Sequence, residues 1–282
     1  MRTDLKNAIA ELRKGDSDAM ERALASLQQT AFAFSMKVCG HREDAEDTAQ
    51  ETLIRAMPEL AHFDSPEALA VWLYKVARSH CLMRRRRSKF AGKQDLSLEE
   101  LMPDRAELEA LTASRQSGPE QQLLREESRE ELQRAVLKVP PDYRMVLVLH
   151  DMEELSTEEV AQVTGLRPGT VRVRLHRARI FLRNELALKG KPIVTRRKAQ
   201  PSARCKRLFA MLSDYLDQEI DPSLCDSVDG HLGDCPPCKA YLASLEETVR
   251  RCRRHCTEEL KTEVRARVRE LIRESALAKA AR

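Results

Sequence analysis

Aromatic residues supply only 4% of this 282-residue chain, and glycine only nine positions. Sheets draw on aromatic and β-branched side chains, and their hairpins on glycine, so neither a sandwich nor a barrel is indicated. No apolar run approaches the ~18 residues that a membrane span needs. The opening MRTDLKNAIAELRKGD breaks its apolar positions with charges and lacks the continuous apolar core of a signal peptide. These absences predict a cytoplasmic protein with no membrane partner. A surplus of one charge is missing as well: 49 Lys+Arg against 45 Asp+Glu leave +4, so where charges cluster matters more than their sum. There is no H-E-x-x-H, G-x-S-x-G or Gly-rich phosphate loop, and on that ground no enzyme is expected.

What fills the chain is Leu, Ala, Glu and Arg, with 33% of residues charged. That composition belongs to packed amphipathic helices, and the length to more than one domain, so the expected fold is all-α. Shifts in composition divide it. A helix-rich block over 20–90 ends in the basic run Arg84 to Arg87; residues 91–118, mixing acidic residues with Leu, Ser and Gly and lacking a sustained apolar face, read as a flexible linker. A second helical block covers 119–189, with a stripe of Leu123, Leu124, Leu132, Val136 and Leu137 and a buried run from Met145 to Leu149. A basic tether over 190–204 leads to a Cys-rich block at 205–251. The tail 252–282 places Leu260, Val264, Val268, Leu271 and Ile272 along one side of a helix.

The window from Leu155 to Leu186, LSTEEVAQVTGLRPGTVRVRLHRARIFLRNEL, reads as a helix-turn-helix. Ser156 or Thr157 caps the first helix with Glu159 as reciprocal partner, Val160, Ala161 and Val163 face inward, and Gly165 makes the turn. Pro168 or Thr170 opens a second helix whose inner stripe is Val171, Leu175 and Ala178. Arg172, Arg174, His176, Arg177 and Arg179 are expected to point outward. A helix so basic suits a major groove, where Arg offers paired donors to guanine and charge to phosphate.

From Pro140 to Arg179 the sequence PPDYRMVLVLHDMEELSTEEVAQVTGLRPGTVRVRLHRAR resembles the promoter-reading domain of sigma-70-type factors of the extracytoplasmic-function (ECF) group. GHREDAEDTAQETLIRAMPELAHFD and VWLYKVARSHCLMRRRRSK, between Gly40 and Lys89, resemble the other sigma domain, which grips polymerase and melts the minus-ten element. The likeness spans about residues 20–188. It implies that Asp47, Gln50 and Glu51, a polar edge beside the apolar stripe Ala49, Leu53 and Met57, contact core RNA polymerase. It also implies that His62, Asp64 and Ser65 capture a flipped base, with Arg78, Arg84 and Arg85 holding phosphates. On the second domain it places minus-thirty-five contacts at Arg172, His176 and Arg177, beside Arg174. Trp72 reads as a core anchor, and Cys39 and Cys81 as core residues.

In the Cys-rich block, HLGDCPPC sets His231 and Cys235 one helical turn apart, and the Pro-Pro knuckle brings Cys238 round to the same centre. Zinc takes such donors and needs a fourth, supplied by Cys205 or by its rival Cys225. A closed Cys3His shell is structural or regulatory, not hydrolytic. The block resembles the zinc-binding anti-sigma domain, with Cys205, His231, Cys235 and Cys238 at its ligand positions. Cys225, Cys252, His255 and Cys256 remain as a candidate second site for a regulatory transition metal.

The function expected is therefore that of a monomeric sigma factor which binds core RNA polymerase and promoter DNA and is regulated by its own metal-binding domain. The alternative is a metal-responsive helix-turn-helix repressor or activator acting without polymerase. That reading predicts a dimer on palindromic sites.

Overall fold

The computed structural model describes residues 3–14, 16–87, 95–105, 107–109, 125–188, 202–255 and 270. Among these there is no strand, as the scarcity of aromatics and glycine leads one to expect. The chain divides into two compact units, one built from 1–93 and 148–166 and the other from 94–147 and 167–255. Residues 256–282, with the apolar stripe of the tail, lie outside the described residues except for 270.

In the first unit, α1 (Thr3–Leu12), α2 (Ser17–Cys39), α3 (Arg42–Ala56) and α4 (Pro66–Arg87) pack on one another. The α1 helix was not legible as an element, because charges interrupt its apolar residues. Leu5, Ala8 and Ile9 nevertheless share one face and are buried, as i, i+3, i+4 spacing requires. Asp16 caps α2 by accepting from Ala19 N at 2.6 Å, and Gly40 ends it in the left-handed region at φ 77°. Small residues at Ala45, Ala49 and Ala56, all fully buried, let α3 approach its neighbours closely. Trp72 differs from its expected role: it is half-buried and packs on Phe63 with ring centroids 5.6 Å apart, while Leu73 and Tyr74 take the core positions.

Residues 148–166 belong to this unit. They begin with a π-helical turn, Val148–Met152, whose Val148, Leu149 and Met152 are buried. After Glu154, at φ 58°, comes α8 (Thr157–Thr164), introduced by a complete capping box: Ser156 Oγ accepts from Glu159 N, and the Glu159 carboxylate accepts from Ser156 N at 2.7 Å. The α8 helix packs on α4, so Val160 and Val163 bury against the N-terminal block instead of closing a separate domain. A buried ion pair sits in the same unit. Lys37 Nζ donates to Glu153 Oε1 at 2.6 Å, the Tyr74 hydroxyl donates to Glu153 Oε2 at 2.5 Å, and the Lys37 and Glu153 side chains are 2% and 0% exposed.

The second unit holds α5 (Leu98–Leu101), α6 (Arg125–Lys138), α7 (Pro141–Leu147), α9 (Pro168–Leu188), α10 (Ala203–Leu216), α11 (Pro222–Asp234) and α12 (Pro236–Arg253). The α9 helix lies at its centre, packed against α5, α6, α7, α10 and α12. Where the sequence suggested a flexible linker, the described part is docked. Leu96 and Leu108 are buried, Leu98, Leu101 and Met102 pack on the core of α10 and α12, and Asn184 Nδ2 donates to the Leu101 carbonyl at 2.9 Å. Residues 91–94, 106 and 110–118 of that segment lie outside the described residues, as do 119–124 of the second block with the stripe positions Leu123 and Leu124. So does the tether as far as Pro201.

Candidate metal centre and recognition helix

Three elements converge on one small volume. Ser202 caps α10 by accepting from Cys205 N at 3.2 Å, which seats Cys205 in the first turn; His231 lies in the last turn of α11. Cys235 joins α11 to α12, and the two prolines that start α12 fix Cys238 one turn further on. The donor atoms of Cys205, His231, Cys235 and Cys238 all lie within 4.8 Å of one another. A tetrahedral zinc shell with ~2.3 Å bonds has edges of about 3.8 Å, so small adjustments close it.

The chemistry of the four also fits a cation. The His231 ring is 5% exposed, and neither of its nitrogens has a hydrogen-bond partner, which a metal on one of them relieves. Burial first, and the nearby Arg204, hold its pKa below the ordinary value and so favour the neutral, ligating form. Burial, followed by its neighbours Cys235 and Cys205, pushes the Cys238 thiol far up. A divalent cation reverses that repulsion. With four protein donors the shell has no open position, which suits a structural role.

Cys225 is not the fourth donor: its sulfur points to the Asp221 carbonyl at 3.9 Å. Of the second site expected at Cys225, Cys252, His255 and Cys256, the three described members are not gathered into a metal-binding group. Cys252 is fully buried in the α12 core face, His255 Nε2 sits 3.1 Å from Gln133 Oε1, and Cys256 lies outside the described residues. Helical phase sends Cys252 inward, away from solvent.

The α9 helix starts at Pro168, three residues after Gly165 turns the chain at φ 74°. Its expected inner stripe holds, with Val171, Leu175 and Ala178 all buried. Its expected outer face does not. Arg179 is 0% exposed and pairs bidentately with Asp217 at 2.7 and 2.9 Å; His176 is 7% exposed, with Nδ1 2.9 Å from Ser213 Oγ. Arg172 Nε donates to Glu219 at 2.8 Å. Arg183 donates to Ser244 Oγ at 3.1 Å and stacks over the Tyr241 ring, 4.4 Å from its centroid. The face read as open to DNA is partly covered by α10, which takes up His176 and Arg179 and pairs with Arg172. Arg174 lies over the Tyr143 ring at 5.9 Å, Arg177 is partly exposed, and Val173, at 50%, is the exposed large apolar residue of the helix.

The acidic partners sit where α10 ends. Gln218 adopts φ 57°, a conformation that L-residues other than Asn and Asp rarely take, and this kink sets Asp217 and Glu219 toward α9. Burial, then the Arg179 and Arg177 charges, depress the His176 pKa to about 4. Sequence reading missed Ser213, Asp217 and Glu219 as partners, although DYLDQE is an acidic stretch beside a basic helix.

In the first unit, Asp47 and Glu51 are exposed, Gln50 is partly so, and Ile54 adds an apolar residue at 42% exposure to the same edge. His62 ends a 3-10 turn, Leu60–His62, and is exposed. The Asp64 carbonyl accepts from Arg13 at 3.1 Å, and Ser65 Oγ accepts from Ala68 N at 3.2 Å at the start of α4. Arg78 is half-buried; Arg84 and Arg85 lie on the last turn of α4, with side chains outside the described set.

Comparison with known proteins gives three family matches: Sigma-70 region 2 over residues 24–90, Sigma-70 region 4 over 129–182, and a zinc-finger family over 205–239. The ECF RNA polymerase sigma factor SigW of Bacillus subtilis is 32% identical over 187 residues, covering 64% of this chain and 96% of SigW. The RNA polymerase sigma factor YlaC of the same organism is 30% identical over 169 residues, covering 60% and 92%. The ECF RNA polymerase sigma factor SigE of Mycolicibacterium smegmatis is 33% identical over 179 residues, covering 61% and 65%. Among solved structures, the sigma factor RpoE of Bartonella quintana, in complex with the anti-sigma factor NepR, aligns at TM-score 0.39 with 21% identity, over 59% of this chain and 94% of that one.

Proposed function

We propose, because the chain belongs to the ECF RNA polymerase sigma factors of the sigma-70 family, that it is a promoter-specificity subunit held in check by its own C-terminal zinc-binding domain. The chain directs promoter-dependent transcription initiation and is a transcription regulator. Sigma factors act with core RNA polymerase and promoter DNA. The exposed edge of Asp47, Gln50 and Glu51 is assigned to polymerase. His62, Asp64, Ser65, Arg78, Arg84 and Arg85 are assigned to the minus-ten strand, and Arg172, Arg174, His176 and Arg177 to the minus-thirty-five element. The repressor alternative leaves the region 2 match without a role and is not favoured. A monomer in the cytoplasm, without catalytic activity, completes the reading. Among the described residues no helix is long and apolar enough to cross a membrane.

The observation that carries the regulatory part is the pairing of Arg172 with Glu219, beside the burial of His176 against Ser213. A guanidinium already engaged by carboxylates cannot give the same donors to guanine or phosphate. Glu219 thus stands where a DNA oxygen would, the Arg179–Asp217 pair fastens α10 to α9, and promoter binding requires α10 to leave α9. Cys205, His231, Cys235 and Cys238 would hold a zinc ion, which would cross-link α10 to α11 and α12. The chain's own residues then act as one preformed acidic clamp. Promoter affinity falls by the fraction of chains in the open state.

Run-off transcription with core polymerase tests this, comparing the zinc-loaded chain with Asp217→Asn plus Glu219→Gln. The variant should initiate more transcript at equal concentration while binding core polymerase equally. Unchanged or lower initiation by the variant overturns the clamp.

A further inference from the structure

Cys39, at the end of α2, and Cys81, in the second half of α4, meet across the first unit with their sulfurs 2.8 Å apart. Buried cysteines usually serve as small apolar groups. This pair does more: the Cys39 thiol donates to the Cys81 sulfur across the two helices. We propose that Cys39 and Cys81 form a peroxide-oxidisable dithiol that closes to an intramolecular disulfide. The inference stands apart from the polymerase and DNA assignments.

The hydrogen bond from Cys39 holds the Cys81 thiol below its ordinary pKa, while burial and the nearby Asp44 carboxylate oppose it. The thiolate is the nucleophile toward peroxide. Cys81 sulfur attacks one oxygen of hydrogen peroxide and the O–O bond breaks; Cys81 becomes a sulfenic acid, and the departing hydroxide takes the Cys39 proton to give water. The Cys39 thiolate then attacks the Cys81 sulfur, the S–O bond breaks, and the second hydroxide leaves as water with the proton Cys81 gave up. Two thiols and one peroxide yield one disulfide and two waters. The sulfurs need close by only about 0.8 Å to reach bonded separation, so little backbone movement is required. Cys81 is 5% exposed and Cys39 partly exposed. A molecule as small as peroxide can therefore reach the pair, while a bulky thiol disulfide has poor access. The bond would tie α2 to α4 across a separation of 42 residues.

The test is non-reducing peptide mapping of the zinc-loaded full chain after brief peroxide exposure and alkylation. Tryptic peptides 38–42 and 79–84 should appear linked, two hydrogens lighter than their sum, and should separate on reduction. With Cys39→Ser, Cys81 should instead be trapped as a sulfenic acid by a dimedone probe. If Cys39 and Cys81 remain alkylated thiols at a dose that oxidises Cys205, Cys235 or Cys238, the proposal fails. It fails equally if either is found joined only to another cysteine.

Discussion

Lys37→Met isolates the buried charge pair of the first unit. In the native chain Lys37 and Glu153 are 2% and 0% exposed, and Glu153 accepts at 2.6 Å from Lys37 and at 2.5 Å from Tyr74. Removing the ammonium leaves a buried carboxylate without its charged partner, a situation that costs about 3–5 kcal/mol. Replacing both partners, with Lys37→Met and Glu153→Leu, removes the charge and its desolvation together. The double variant should regain most of the loss. Tyr74→Phe deletes a hydrogen bond to a charged group and should cost about 1.5–3 kcal/mol. The single tryptophan, Trp72, lies on α4 within this unit, so its fluorescence during urea unfolding reports here. With a slope of about 2 kcal/mol per molar urea, Lys37→Met should lower the midpoint by roughly 1.5–2.5 M. A shift below about 0.25 M, or a double variant no more stable than the single, would refute the view that this pair is a mutually dependent buried unit.

His176 should make the packing of α9 on α10 sensitive to acid. Its folded pKa, about 4, lies below the ordinary 6.5, so the stabilisation is fully present above pH 6.5 and is lost as pH falls toward 4, by about 3 kcal/mol in total. His176→Gln lacks this titration, and Asp214, whose pKa burial raises, is common to both proteins; parallel stability profiles between pH 7 and pH 4 would refute the assignment. Cys235→Ser or a strong chelator should lower helicity by circular dichroism and expose residues 202–253 to protease, with zinc restoring the native chain after chelation; retention of full protection without zinc would contradict a structural metal. Ser156→Ala removes half of the capping box and should destabilise by about 1 kcal/mol, read as a lower thermal midpoint.

Much of the site was legible because it is written locally. The capping pair Ser156 and Glu159, the turn at Gly165 and the helix start at Pro168 follow from backbone chemistry within a few residues. The metal set was equally readable, since three of its four donors lie within eight residues from His231 to Cys238 and a helical turn fixes their relation. The all-helical class followed from composition. The α1 helix was missed because Leu5, Ala8 and Ile9 gain their burial from α2 and α4, not from a strong local pattern.

Sequence by itself determined the all-helical class, the caps around the turn at Gly165, three of the four metal donors and the family, since each depends on short-range periodicity, spacing or motif. Tertiary structure decided which polar groups are open and which are spoken for. Arg179 and His176 carry the same helical phase as an outward basic face, yet their partners Asp217 and Ser213 lie 38 and 37 residues away. Glu153 finds Lys37 at a separation of 116, and Cys39 finds Cys81 at 42. Such pairings arise only when folding brings distant surfaces together and excludes water between them. A buried charge or thiol is then governed by the one neighbour it meets there, which no local pattern encodes.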